Sequence, residues 1–401
     1  MTTATRWTTT PATADAWIAR AAEAAAVLAT DAAARDKAGA TPHAEVQLLK
    51  DAGLVTLLGP TEHGGAGQDW PTAYRAVREI AKADGSIGQL LGYHYLWFWA
   101  ARLVGTREQW ERLEAEATRE TWFFGGAVNP RDHDVTVTED GADLVFTGAK
   151  TFSTGSRVSD VTVLEGVLDG TEAHVFAVVP STSPGLTFHD DWDNIGQRLT
   201  ESGSVTIDAV RAPWTDALGY TGKEFQPRTY NTLNVPTIQL VFANFYLGIA
   251  SGALETAATY TRTKSRSWLH GGHDRATDEP YVIDIYGDLT AKLWAAEALA
   301  DAVALEGQRL HDDPDAVTPE TRGAFEVRVA AVKARATDVA LEATNRIFEV
   351  TGARATAAAE GLDRFWRNVR THTLHDPVAY KRREVGRWVL DGELPEPTWY
   401  S

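Results

Sequence analysis

Three long stretches near the C-terminal end, each patterned as one continuous helix, constrain this chain more than any other feature. The first runs from Pro236 to about Arg266, the second from Pro280 to about Leu310, and the third from Thr318-Pro319 to near Gly352. Helices of roughly thirty residues exceed the usual length and draw most of their stability from burying a face. They must therefore pack on one another as a bundle. A last helical segment covers the motif-rich end, and residues 231–401 are assigned to this C-terminal bundle.

The texture upstream differs. Residues 1–120 read as an N-terminal helical domain, with Trp17, Ile18, Ala21, Ala25 and Leu28 at helical spacing. Thr41-Pro42 looks like a cap followed by proline at the first helical position, with Gly53 as a stop. From residue 121 to 230 the period becomes two. Val135, Val137 and Leu144, Phe146 flank Asp140-Gly141, a hairpin signal, and valines flank Asp169-Gly170 in the same way. The expected architecture is α+β and mainly α: a helical domain, an antiparallel β domain and a four-helix bundle.

The net charge of −17 argues against nucleic acid as a partner, because neutralising phosphates needs clustered cations. The chain has no cysteine, which removes disulfides, thiolate metal sites and a cysteine nucleophile, and suits a reducing cytoplasm. No metal site, signal peptide or membrane-spanning apolar run is read. There is no P-loop and no strand-linked G-x-G-x-x-G, so nicotinamide binding by this chain is not expected. The fourteen tryptophans would serve a core or a flat-ligand pocket.

The chemistry-bearing run is Phe365-Trp-Arg-Asn-Val-Arg-Thr-His372 followed by Leu374-His-Asp-Pro-Val-Ala-Tyr380. It reads as a helix-to-helix junction that places His375 at a site, where an imidazole can pass protons near neutral pH. Arg266 at a helix end and Arg354 after Gly352 could each clamp a phosphate bidentately. From the residues alone, Arg266 could equally be a solvated helix end, Trp192 a core residue of the β domain, and Tyr93 core packing in an aromatic helix.

The order of these zones, with Glu62-His-Gly-Gly-Ala-Gly67, Gly148-Ala-Lys-Thr-Phe-Ser-Thr-Gly155, Ile195-Gly-Gln-Arg-Leu-Thr-Glu-Ser-Gly-Ser204 and Tyr260-Thr-Arg-Thr-Lys-Ser-Arg266, resembles the acyl-CoA dehydrogenase fold. Val77-Arg-Glu-Ile-Ala-Lys-Ala-Asp-Gly-Ser86, Gly92-Tyr-His94, Asp190-Asp-Trp192 and the C-terminal run are similar to its dibenzothiophene monooxygenase branch. That resemblance implies a two-component flavin monooxygenase and a homo-oligomer, expected to be a tetramer. A separate NAD(P)H flavin reductase would supply reduced FMN, which reacts with O2 to a C4a-hydroperoxide that oxidises a hydrophobic, heteroatom-bearing small molecule. Sulfur is the first choice of target. Amine N-hydroxylation and indole hydroxylation are alternatives, as are an acyl-CoA dehydrogenase or oxidase using FAD, and a flavin-binding protein without catalysis.

The resemblance also implies roles. His375 would tune and protonate the peroxide, and Tyr93 would lie near the flavin C4a. Thr154 would bond the flavin edge through its hydroxyl or N–H, Trp192 would cover the ring, and Arg266 with Arg354 would hold the phosphate. Asp376 falls where acyl-CoA dehydrogenases carry their base, but a shorter carboxylate beside proline argues against that role. His94 is expected on another helix face, as a structural residue. The chain departs from the branch at Gln89, Gly126 and Thr154, where the relatives carry histidine, asparagine and serine. These positions, with Trp97 and Phe98, are expected to line the substrate pocket, and the smaller residues to add space there.

Overall fold

The computed structural model describes residues 7–129 and 133–398. The long C-terminal helices form as the pattern predicts: α7 will denote Asn234–Thr263, α8 Pro280–Asp312 and α9 Pro319–Thr351. Thr318 caps α9 by accepting from the Thr321 N–H, and Gly352 ends it. The motif-rich end is two helices, α10 (Asp363–His372) and α11 (Val378–Asp391), with the expected helix-to-helix junction between them. Pro377 disfavours a helical conformation at Asp376 and caps α11, which helps set the break.

Six helices precede the sheet: α1 (Ala14–Ala29), α2 (Ala32–Ala38), α3 (His43–Asp51), α4 (Trp70–Ala83), α5 (Gly85–Val104) and α6 (Arg107–Arg119). Pro42 is itself the cap position of α3, one residue later than its sequence suggested. Asp84 turns the corner between α4 and α5, its carboxylate accepting from the N–H groups of Ser86 and Ile87 at 3.1 and 3.3 Å. α4 and α5 pack on α7, which also contacts α8 and α9. Gly92 permits this close approach, since a β-carbon there would sit 2.3 Å from Val241 Cγ1. The apolar stretch of α7 is long enough to cross a bilayer by composition, but 89% of it is buried inside the protein.

The sheet has seven strands, β1 (Phe124–Ala127), β2 (Val135–Asp140), β3 (Asp143–Lys150), β4 (Val161–Leu168), β5 (His174–Pro180), β6 (Leu186–Phe188) and β7 (Val205–Pro213). A small hairpin follows, β8 (Tyr220–Thr221) with β9 (Glu224–Phe225). Both expected hairpins are present, with Gly141 and Gly170 at positive φ in their turns. The expected antiparallel order holds for β2–β3, β3–β7, β4–β5 and β6–β7. It fails at β1–β4 and β2–β4, which run parallel. The β2–β3 hairpin lies between β1 and β4 in sequence, giving the long connection that a parallel pair needs. β4 is buried along almost its whole length: Val161 and Val163 face the helical core, Leu164 the core within the sheet.

Candidate active site

The break between α10 and α11 builds the first part of the site. His372, at the end of α10, is fully enclosed by α5 and α7. Its Nε2 lies 3.1 Å from the Tyr93 hydroxyl and its Nδ1 2.8 Å from the Tyr246 hydroxyl. Tyr246 also lies 3.2 Å from the His372 carbonyl oxygen. One arrangement satisfies all three contacts: Tyr246 donates to the carbonyl, Nδ1–H donates to Tyr246, and Tyr93 donates to Nε2. Burial, with His375 and Lys333 nearby, holds the His372 imidazole well below its usual pKa, so it is neutral. His375 stacks on His372 with ring centroids 5.4 Å apart and planes within 8°, and its other neighbour is Phe242 at 5.0 Å. Unlike His372 it is half exposed, so its ring can meet a ligand.

Asp376 faces inward. Its Oδ1 lies 2.8 Å from the Lys333 ammonium and 3.5 Å from His375 Nδ1, and its Oδ2 accepts from Gln239 Nε2 at 3.2 Å. Burial pushes this carboxyl up, but His375 and Lys333 outweigh that and hold it far below the usual carboxylate range. A carboxylate committed to a lysine and an amide is poorly placed to abstract a substrate proton.

The β side supplies the second part. The hydroxyls of Thr154, Ser202 and Thr200 form a chain, 2.9 and 2.8 Å apart, that ends with Thr200 donating to the Gln197 carbonyl at 2.9 Å. That polarity directs the Thr154 proton toward Ser202, while its N–H is spent on the Phe152 carbonyl. With its N–H so committed and its hydroxyl shared with Ser202, Thr154 keeps a hydroxyl lone pair that could accept from a flavin edge. The Trp192 indole donates to the same Gln197 carbonyl at 2.8 Å and meets Phe152 edge-to-face at 6.0 Å. Phe152, Gln197 and Glu201 all hold positive φ, of 55°, 54° and 47°. Such conformations cost bulky residues energy and gather at functional sites. Phe152 is also 71% exposed. Both amide atoms of Gln197 are buried and have no hydrogen-bond partner among the described residues. The two parts are joined where the Gln197 N–H donates to Asn368 Oδ1 on α10 at 2.7 Å.

The pocket positions divide. Gln89, Tyr93 and Trp97 recur every four residues along α5 and share a stripe. The Gly126 N–H donates to the Thr154 carbonyl at 3.3 Å, so β1 borders the same region. Gly126 adds no space: a β-carbon there would fall 2.4 Å from Trp97 Cε2, so the indole already fills the volume. Nor does Gly126 hold a positive φ. Phe98 packs on His94 and Phe124 in the core, away from the stripe. His94 is structural as expected, its Nε2 bonded to the Val55 carbonyl and its Nδ1 accepting from the Phe124 N–H.

Arg266 and Arg354 do meet. With Tyr260, Thr263, Lys264, Ser265 and Glu360 they line an open cavity of about 560 Å³. Arg354 donates to the Lys264 carbonyl, and Arg266 has no hydrogen-bond or ion-pair partner among the described residues. The structure does not bring this pair to His375. Phe242 contacts His375 near the start of α7, and Arg266 follows its far end, about 30 Å away at ~1.5 Å per residue. α9 repeats that separation, with Lys333 at Asp376 and Arg354 beyond Thr351. Sequence spacing could not reveal this, because it does not tell which helix ends are neighbours.

These residues fit a flavin mononucleotide in halves. Phe152, Trp192 and the orphaned Gln197 amide suit a flat ring with donors and acceptors on its edge, and the arginine pair suits a phosphate. Among the described residues no group of His, Asp and Glu could hold a metal ion. His372, Lys333, Gln197 and Phe152 were not singled out in the sequence. His372 stood in the recognised run, but only burial separates its role from that of His375.

Residues 16–119 match the family model for the acyl-CoA dehydrogenase N-terminal domain, and residues 240–379 that for the C-terminal domain. The chain is 43% identical to the dibenzothiophene monooxygenase of Rhodococcus erythropolis over 381 residues, 92% of this chain and 91% of that one. It superposes on the dibenzothiophene monooxygenase TdsC of Paenibacillus sp. A11-2, in complex with FMN and indole, with a TM-score of 0.91 and 41% identity, covering 96% and 100% of the two chains. Methanesulfinate monooxygenase MsuC of Pseudomonas fluorescens matches with a TM-score of 0.92 and 38% identity, covering 96% and 99%. The chain belongs to the flavin-dependent monooxygenases of the acyl-CoA dehydrogenase fold, the family of dibenzothiophene monooxygenase.

Proposed function

We propose that this enzyme transfers one oxygen atom from O2 to the sulfur of a hydrophobic, heteroatom-bearing small molecule, using FMN reduced by a separate flavin reductase. FMN is bound by the structurally similar TdsC and fits the residues here. When bound and reduced it supplies the two electrons of the reaction, in which one oxygen atom enters the product and the other leaves as water.

The observation that supports this reading is the His375–His372–Tyr93 cluster, tied to the strained, aromatic loops of Phe152 and Trp192 through the Gln197–Asn368 hydrogen bond. His375, half exposed, delivers a proton to the departing oxygen. His372, neutral and buried, fixes the Tyr93 hydroxyl by accepting its hydrogen bond at Nε2. Thr154 accepts a hydrogen bond at the ring edge. Phe152 and Trp192 cover the ring and exclude water.

A second element of the proposal is that the site is shared. A cavity with Arg266 and Arg354 about 30 Å from His375 cannot hold the phosphate of the same FMN. A homo-oligomer in which one copy lends its arginine pair to the other copy's ring site resolves the distance. Exposed apolar residues at Tyr281, Ile283, Trp294 and Leu305 on α8, and at Trp388, Val389 and Leu390 on α11, support such contacts.

Asp376's commitment to Lys333 and Gln239 disfavours α,β-dehydrogenation. The indole complex of TdsC favours ring oxidation of an indole as the second reading. A screen of thiophenes, indoles, amines and alkyl sulfinates with FMN and any flavin reductase, read as one added oxygen by mass, decides among them. The isolated chain with FMN should not consume NADH or NADPH; steady consumption without reductase would remove the two-component reading.

A further inference from the structure

Lys333 projects from the middle of α9 into an apolar setting, 1% exposed, with its ammonium 4.7 Å above the Phe242 ring and 5.6 Å from that of Tyr246. It donates to Gln239 Oε1 at 2.9 Å and to Asp376 Oδ1 at 2.8 Å, and Gln239 Nε2 in turn donates to Asp376 Oδ2 at 3.2 Å. Three side chains from α7, α9 and the α10–α11 junction thus close a polar ring. Burying an ion pair contributes little net stability, because desolvation offsets the attraction. The ring's effect is orientation. Both carboxylate oxygens of Asp376 are assigned, so this side chain cannot rotate. Among the described residues, the next group near Oδ1 is the neighbouring His375, with Nδ1 at 3.5 Å.

We propose that Lys333 is a positioning residue for oxygen transfer: through Asp376 it fixes the ring of His375 with Nδ1 inward and Nε2 outward. This rests on the reading of His375 as the group facing the reaction. The charged and titratable groups around it bear on the outcome. They are His372 and Arg370 on α10, Tyr246 on α7, Lys333 on α9, and Asp376 at the junction, with Lys381, Glu326 and Glu384 behind Lys333. Among them Asp376 and Lys333 pull in opposite senses on one imidazole.

The test compares Lys333→Met and Asp376→Asn in the full chain. The His375 ring is followed by NMR titration and identified by its loss in His375→Phe. Lys333→Met leaves the carboxylate unopposed and should raise the His375 midpoint by about one pH unit or more; Asp376→Asn should lower it. Loosened local structure would move both variants the same way, toward a free histidine. Product formed per reduced FMN should fall about ten- to hundred-fold in Lys333→Met, with peroxide released instead. Midpoints that stay in place, or move in the same direction, overturn the proposal. If Lys333→Met does not fold, Asp376→Asn alone decides, and an unmoved midpoint there is the negative result. Full oxygen transfer by His375→Phe would remove the catalytic reading on which this rests, while the titration still decides whether Lys333 acts on His375.

Discussion

Consider placing a methyl group on Gly126. The β-carbon of Gly126→Ala would lie 2.4, 2.5 and 2.8 Å from Trp97 Cε2, Nε1 and Cζ2. All three distances are shorter than carbon or nitrogen tolerates, and the neighbour is a rigid indole rather than the end of a flexible chain. Either β1 or the indole must shift, and overpacking of this kind costs about 1–3 kcal/mol. Since Gly126 has no positive φ, no backbone strain confuses the result. Trp97→Leu removes the clash, so in that background Gly126→Ala should cost little. The two changes should couple by about 1–2 kcal/mol in a double-mutant cycle. Urea unfolding midpoints at one protein concentration measure this, and the same four proteins are assayed for oxidation of dibenzothiophene against a single-ring thiophene. An indole displaced from Gly126 changes the shape of the pocket and should lower the activity on the three-ring substrate more than on the small one. Additive stabilities, or an unchanged substrate ratio, would refute the view that Gly126 and Trp97 together set pocket volume.

Three other outcomes are expected. Arg266→Ala should weaken FMN binding by about 1.5–3 kcal/mol without unfolding the chain, the range for hydrogen bonds to charged groups; an unaltered affinity by titration places Arg266 outside the phosphate site. His375→Phe should retain FMN but release hydrogen peroxide in place of product, and undiminished product per reduced FMN would show that proton delivery comes from elsewhere. Burial holds His94 down to about 4 and His311 down to about 3, below the unfolded value near 6.5. The unfolded chain therefore binds more protons in that window, and stability is complete above it and falls as the pH drops, by about 1.4 kcal/mol per pH unit for each histidine. Urea midpoints from pH 7.5 to 4.5 should follow that slope, and one that stays level in His311→Gln and wild type alike counts against it.

Much of this was legible in the residues, for identifiable reasons. The three long helices were visible because their apolar stripes persist and because Thr318, Pro319, Gly352 and Pro280 mark their ends. The hairpins were visible because Asp-Gly pairs sit between alternating strands. The parallel pairing of β1 and β2 with β4 was not, because alternation records which face a residue takes and not which strand lies beside it. The same limit explains the site. His375 could be singled out from its motif, but Lys333 is one cation in an ordinary helix until α7 and the junction close around it. Gly126 looked like lost volume until Trp97 was found in its place.

The distance along α7 between the arginine cradle and His375 has a consequence for the life of the chain. On the shared-site reading, a single copy owns half of two different sites and the whole of none. A newly made chain then cannot retain its cofactor, and so cannot squander reduced flavin and oxygen as peroxide while it waits for a partner. On that reading quaternary assembly would arm the enzyme. Dilution would disarm it without unfolding anything, and a copy damaged at one end would still serve its neighbour with the other.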